Sequence, residues 1–278
     1  VPEPIEKVSR TIWRDGAFTR ADRAIPNEVA IAITYGGSTQ AVMMATPADL
    51  EDFAVGFSMT EGLIRSQADI TSLDVIEEDE GVELRMWLVA DLAETYSRRR
   101  RLLAGPTGCG LCGIESLTEA VKPPVTVAAG AVFRPADVEA AMASLPGAQP
   151  MNRETRAVHA AGFWMPGEGL VAVREDVGRH NALDKLVGHL TRTGRNAALG
   201  IVVLTSRVSV EMVQKAAAIG APMIAAVSAP TALAVRMADA AGITLVAIAR
   251  EDSFEVFTHA ARIMDPAGQG TTDLAAGF

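Results

Sequence analysis

Apolar and polar residues alternate over Glu28–Tyr35 (EVAIAITY), with Val29, Ile31 and Ile33 at every second place. That period of two predicts a half-buried strand. Gly36-Gly37 turns the chain, and Ala41–Met44 reads as the returning strand. Thr46-Pro47 has the form of an N-cap followed by proline in the first helical turn. The helix it predicts runs to about Glu61, puts Leu50, Phe53, Ala54 and Phe57 on one face, and stops at Gly62. Val75–Ile76 and Val82–Val89 read as a second hairpin.

The pattern changes after Val121-Lys122-Pro123-Pro124. Two consecutive prolines fit neither a helix interior nor a central strand. The segment therefore reads as a linker between an N-terminal α+β domain, residues 1–122, and a C-terminal α/β domain, residues 125–278. Beyond it, Pro135–Leu145 and Val177–Leu190 are expected as helices, and His159–Met165 and Leu170–Val173 as strands.

The last third repeats. Strands are expected at Leu199–Leu204, Pro222–Val227 and Ile243–Ala249, with helices at Val208–Ala218 and Pro230–Ala240 between them. Their ends, Ser206, Ser228 and Arg250, recur every 22 residues, and so do Gly220 and Gly242. Strand, helix and strand at this length predict a parallel sheet. Ser206-Arg207, Ser228 and Arg250 then lie side by side at the C-terminal strand edge, where open α/β sheets bind ligands. Helix N-termini opening at that edge suit phosphate. Ser206 and Ser228 also fit simple helix caps.

Composition narrows the function classes. The chain has 278 residues, 49% hydrophobic and 21% charged, which supplies a sizeable core and excludes a disordered or fibrous chain. A net charge of −9 and an aromatic content of 5% argue against nucleic acid as a partner. The most apolar stretch, Ile219–Val235, is broken by two prolines, and VPEPIEKVSRTIW lacks a signal-type apolar core. A cytoplasmic protein without a membrane partner is expected.

Only two cysteines are present, Cys109 and Cys112, in the glycine-rich segment Gly105–Gly113. A short helix is expected behind them at Ile114–Ala120. A thiol just ahead of a helix N-terminus is favoured as thiolate. The pair therefore reads as a nucleophile able to accept sulfur as a persulfide. Zinc needs four ligands, and no second Cys-x-x-Cys exists. A zinc deaminase would need His-x-Glu upstream, and His159 is downstream and followed by Ala160-Ala161. A thiol–disulfide exchange pair remains an alternative. The arginine run Arg98–Arg101 fits a solvated helix end, or a surface that steers a ligand.

Arg174–Lys185 (REDVGRHNALDK) packs several functional groups into a strand-to-helix junction. His180 with Asp184, and Asn181 with Lys185, share helix faces, and Leu183, Leu186, Val187 and Leu190 form the buried stripe. A salt-bridged surface helix and an anion site at Arg179 or His180 both fit.

Together these motifs resemble a known family. Cys109-Gly-Leu-Cys-Gly113, His159-Ala-Ala161, Glu175-Asp-Val-Gly-Arg-His-Asn-Ala-Leu-Asp-Lys185 and Thr205-Ser-Arg-Val-Ser-Val-Glu-Met-Val-Gln-Lys215 are similar to the formate dehydrogenase accessory sulfurtransferases, the FdhD family. Thr46-Pro-Ala-Asp-Leu50 and Gly56–Gly62 also fit, so the resemblance runs from about residue 25 to residue 263. It implies an enzyme that carries persulfide sulfur from a cysteine desulfurase to the molybdenum cofactor of formate dehydrogenase, a molybdenum bis(molybdopterin guanine dinucleotide). Cys109 matches the persulfide-bearing cysteine and Cys112 its partner. The resemblance implies a C-terminal domain of the cytidine deaminase fold without its zinc. That domain would bind the guanine nucleotide end at Ile248, Ala249, Arg250, Glu251, Asp252 and Ser253, next to Ser206, Arg207 and Ser228. It also implies a homodimer. A non-catalytic chaperone that only binds and inserts the cofactor is the competing reading.

Overall fold

In the computed structural model, which describes residues 1–92, 125–250 and 252–264, the chain opens with a hairpin absent from the pattern reading. Strands β1 (Ile5–Arg14) and β2 (Ala17–Pro26) pair antiparallel around Asp15 and Gly16. Both turn residues have positive φ, 51° and 80°, the backbone that an Asp-Gly hairpin turn adopts. The strands show no clean apolar alternation because most of their residues face water.

The expected hairpins then follow in longer form. Strands β3 (Val29–Tyr35), β4 (Ser38–Ala45), β5 (Ile70–Glu78) and β6 (Gly81–Leu88) make a sheet in the order β4-β3-β6-β5. Helix α1 (Leu50–Thr60) covers one face, packing Phe53, Ala54 and Phe57 on Ile31, Ile33, Leu84 and Met86. It starts later than Thr46-Pro47 predicts, with Asp49 at its N-cap. Thr46 is buried and does not cap the helix: its N–H donates to Asp176 at 3.1 Å and its hydroxyl accepts from the Val177 N–H at 3.1 Å.

The C-terminal part contains α2 (Pro135–Ser144), α3 (Pro150–Thr155), β7 (His159–Met165), β8 (Gly169–Asp176) and α4 (Arg179–Arg192). The alternation β9 (Ile201–Leu204), α5 (Val210–Ala218), β10 (Met223–Ala226), α6 (Ala232–Ala241), β11 (Thr244–Ala247) follows, and then β12 (Glu255–Val256). The sheet order is β12-β11-β10-β9-β7-β8. As the 22-residue spacing predicts, β9, β10 and β11 are parallel, with Ile224 beside Val202 and Leu245. All four residues of each strand are buried, which fits a sheet covered on both faces. Leu183 and Leu186 of α4, Met212 of α5 and Ala238 of α6 pack on Val202, Ile224 and Leu245. Val138, Ala141 and Met142 of α2 pack on Val203, Ala225 and Val246 from the other side. The chain is thus a two-domain α/β protein.

The domains meet where α1 crosses α4 backbone to backbone. A Cβ added to Gly56 would lie 1.7 Å from the Asp184 carbonyl oxygen, and one on Gly188 would lie 1.8 Å from that of Asp52. Both glycines are required by this close approach.

Candidate functional site

The C-terminal ends of the parallel strands do form one edge. The Val227 N–H donates to the Leu204 carbonyl at 3.0 Å, and that of Ala249 to Ala226 at 3.1 Å. The three loops that follow are stitched together. Arg250 Nη1 donates to the carbonyls of Val227 at 2.6 Å and Ala249 at 2.9 Å, so its guanidinium is held against the loop that carries Ser228. The Arg250 N–H donates to the Ser253 carbonyl at 2.7 Å, which turns Asp252 and Ser253 back over the edge. Ile248 adopts φ 52°, a left-handed conformation that is a genuine outlier for a β-branched residue. Strain of this kind concentrates where a backbone must be held in one functional shape.

Ser206 and Ser228 are not the helix caps. The helices start later, and the N-caps are Ser209 and Thr231, the latter accepting from the Ala234 N–H at 3.2 Å. Ser206 is buried, its hydroxyl donating to the Arg207 carbonyl at 3.0 Å, while Arg207 and Arg250 are exposed. The strand-end loops therefore present two exposed cations and the half-buried Ser228, with Ser206 buried beside them. Of the remaining candidates, Ala249 is buried and Ile248 half-buried; Glu251 lies outside the described residues. So do Cys109, Cys112, Arg98–Arg101, the expected helix Ile114–Ala120 and the linker Val121–Pro124.

The Arg174–Lys185 segment is no surface helix. Asn181, Asp184 and Lys185 are buried, and they tie the domains together. Lys185 Nζ donates to Asp176 Oδ2 at 2.6 Å and to the Thr46 carbonyl at 2.8 Å. Asn181 Nδ2 donates to Asp176 Oδ1 at 3.0 Å and to the Met44 carbonyl at 2.9 Å. The pair Asn181 and Lys185 thus shares one carboxylate. Burial pushes the Lys185 ammonium down, with the Asp176 charge opposing. Asp184 does not pair with His180 as its spacing suggests. It accepts from Lys215 Nζ at 2.7 and 2.9 Å and from the Thr60 hydroxyl at 2.8 Å. At the far end, Asp52 of α1 binds Arg174 at 2.7 Å and Arg192 at 2.6 Å.

One group of side chains is left over. Arg179 Nε and His180 Nε2 are buried atoms with no hydrogen-bond partner among the described residues. His180 Nε2 stands 3.9 Å from Glu211 Oε2. His159 starts β7 opposite Asp176, and the Ala160 N–H donates to the Thr205 hydroxyl at 2.9 Å, which places His159 at the same sheet edge. Burial first, and then the Arg179 charge, lowers the pKa of both His159 and His180. A cation in the first turn of a helix opposes the helix dipole. That signal was legible at Arg179 and His180, whereas nothing in the sequence marked His159 as part of this edge.

Among the described residues, no group of three or more His, Cys, Asp or Glu is placed to hold a metal ion. Nor is any described helix long and apolar enough to cross a membrane.

A mixed six-stranded sheet joined through α1 and α4 to a four-stranded one defines the class: a two-domain α/β protein with an open parallel-strand edge. The FdhD/NarQ family model matches residues 26–264, and the chain belongs to that family. It is 55% identical over 260 residues to the sulfur carrier protein FdhD of Agrobacterium fabrum, covering 93% of this chain and 96% of that protein. The Brucella abortus sulfur carrier protein FdhD is 51% identical over 265 residues, 94% of this chain and 98% of its own. The crystal structure of a protein assigned as a formate dehydrogenase accessory protein from Desulfotalea psychrophila aligns with a TM-score of 0.74 at 25% identity. That alignment covers 94% of this chain and 99% of the other.

Proposed function

We propose that this chain is a sulfurtransferase that takes persulfide sulfur from a cysteine desulfurase and delivers it to the molybdenum cofactor of formate dehydrogenase. The observation that carries the reading is the 55% identity to a sulfur carrier protein over 93% of the chain. Cys109 is the sulfur-bearing residue. Its thiolate attacks the outer sulfur of the donor persulfide, the donor S–S bond breaks, and the donor leaves as thiolate. The outer sulfur now rides on Cys109. Attack by Cys112 on the inner sulfur would release the outer sulfur as hydrosulfide and leave a Cys109–Cys112 disulfide, which two equivalents of a cellular thiol then reduce.

The acceptor, a molybdenum bis(molybdopterin guanine dinucleotide), is substrate here. Its guanine nucleotide end sits at Ile248–Ser253 with Ser206, Arg207 and Ser228. The exposed guanidiniums of Arg207 and Arg250 suit phosphate. Arg179, His180 and His159 extend the same edge. We read the C-terminal domain, residues 125–278, as a zinc-free relative of the cytidine deaminase fold and residues 1–122 as the domain that carries the cysteines. The protein works in the cytoplasm as a homodimer.

The test is maturation of formate dehydrogenase in cells that lack their own copy of this protein. The chain restores formate oxidation, and Cys109→Ala does not. Equal restoration by Cys109→Ala overturns the reading.

A further inference from the structure

The hairpin β1–β2 is not part of either sheet. It forms a two-stranded sheet of its own, ten residues to a strand, which spans roughly 30 Å at the usual rise per residue. Near its base Arg23 Nη2 donates to the Thr155 carbonyl of α3 at 3.1 Å. At its tip Trp13 and Phe18 stand opposite each other, ring centroids 4.7 Å apart, with 62% and 72% of their surface exposed. A lone two-stranded hairpin is marginal in water. Two bare aromatic rings at its end add apolar surface that a partner would cover. The family model begins at residue 26, just past the arm.

Its chemistry matches a surface on the same molecule. The arm carries Lys7, Arg10, Arg14, Arg20 and Arg23 against Glu6, Asp15 and Asp22, a positive excess in a chain whose net charge is −9. The face of the four-stranded sheet turned away from α1 carries Val42 and Met44 on edge strand β4, 63% and 52% exposed. Ala32 and Ala30 lie directly opposite them on β3. Across the same face Arg85 pairs with Glu83, and the exposed Asp74 and Glu78 leave the face acidic.

We propose that the β1–β2 arm of one copy lies on this face of a second copy, with Trp13 and Phe18 on Val42 and Met44 and the arm's cations over Asp74 and Glu78. The proposal rests on the homodimer reading above and names its surface. Each copy gives an arm and receives one, so the contact closes on a two-fold axis.

Light scattering on the full chain at micromolar concentration tests it. The chain is expected to run as a dimer, and both Trp13→Ala/Phe18→Ala and Val42→Asp as monomers that still unfold cooperatively, with a midpoint that no longer depends on protein concentration. Mixing the two variants should restore some dimer, because one intact arm then meets one intact face. A monomeric unsubstituted chain overturns the homodimer reading together with this one. A dimer that survives Trp13→Ala/Phe18→Ala overturns the arm alone. Failure of the mixture to associate overturns the pairing of arm and face.

Discussion

Lys185 Nζ lies 2.6 Å from Asp176 Oδ2, and neither side chain has any accessible surface. Asp176 also accepts from the N–H groups of Thr46 and Gly178 and from Asn181, so the carboxylate is held by four donors. Thr46 belongs to the N-terminal domain, and the other three groups to the C-terminal one. Removing one partner of a buried pair leaves an uncompensated charge. Lys185→Met should therefore lower unfolding stability by about 3–5 kcal/mol, read from urea denaturation. A change below about 1 kcal/mol would show that the pair does not secure this junction.

The crossing of α1 and α4 makes a second prediction. Gly56→Ala puts a methyl 1.7 Å from a carbonyl oxygen, and Gly188→Ala puts one at 1.8 Å. Neither backbone can yield without parting the helices. Each substitution should cost about 1–3 kcal/mol or more by overpacking. Gly147→Ala, whose added Cβ meets nothing within 4 Å, serves as the control and should stay within about 0.5 kcal/mol. Thermal unfolding of the three variants checks it.

Acid should weaken the fold. Burial lowers the pKa of His159, His180 and His189, with the Arg179 charge adding at the first two and the Arg174 charge at the third. Arg174 Nη2 and His189 Nδ1 are 2.7 Å apart, a contact in which only a neutral ring can accept. Each ring binds a proton less readily in the folded chain than in the unfolded one. Their contribution is therefore complete above the unfolded value, about 6.5, and is lost as the pH falls below it. Unfolding midpoints should drop between pH 7 and pH 5, and His189→Asn should flatten that drop. An unchanged slope in His189→Asn contradicts the assignment.

At the strand edge, Arg250 is anchored on Val227 and Ala249 and exposed to solvent. If it meets a phosphate, Arg250→Ala loses a charge-assisted bond. The Kd for guanosine diphosphate should then rise by about tenfold or more. Arg179→Ala should weaken binding in the same direction. Titration calorimetry decides both, and an unchanged affinity removes the residue from the site.

Much of this architecture was legible in the sequence. The alternation in Val29–Tyr35 and the 22-residue recurrence of strand ends both report burial, and burial is what hydrophobic periodicity records. The β1–β2 hairpin buries little, so it left only its Asp15-Gly16 turn as a sign. Thr46, Ser206 and Ser228 looked like caps because cap chemistry is local, but their surroundings are tertiary: Thr46 is drawn to Asp176, and the helices begin further on. Lys185 and Asp184 fitted a salt-bridged surface helix for the same reason. The Thr46 carbonyl that Lys185 reaches and the Thr60 hydroxyl that donates to Asp184 lie on the other domain, Lys215 lies more than thirty residues from Asp184, and the domains come this close only because Gly56 and Gly188 let the helices touch.

In the proposed transfer, sulfur travels on Cys109. Incubation with a cysteine desulfurase and cysteine, followed by intact mass measurement, tests it most directly. A gain of one sulfur atom is expected, which reductant removes and which Cys109→Ala does not acquire. A chain that gains no sulfur, or a Cys109→Ala variant that gains it equally, contradicts the account.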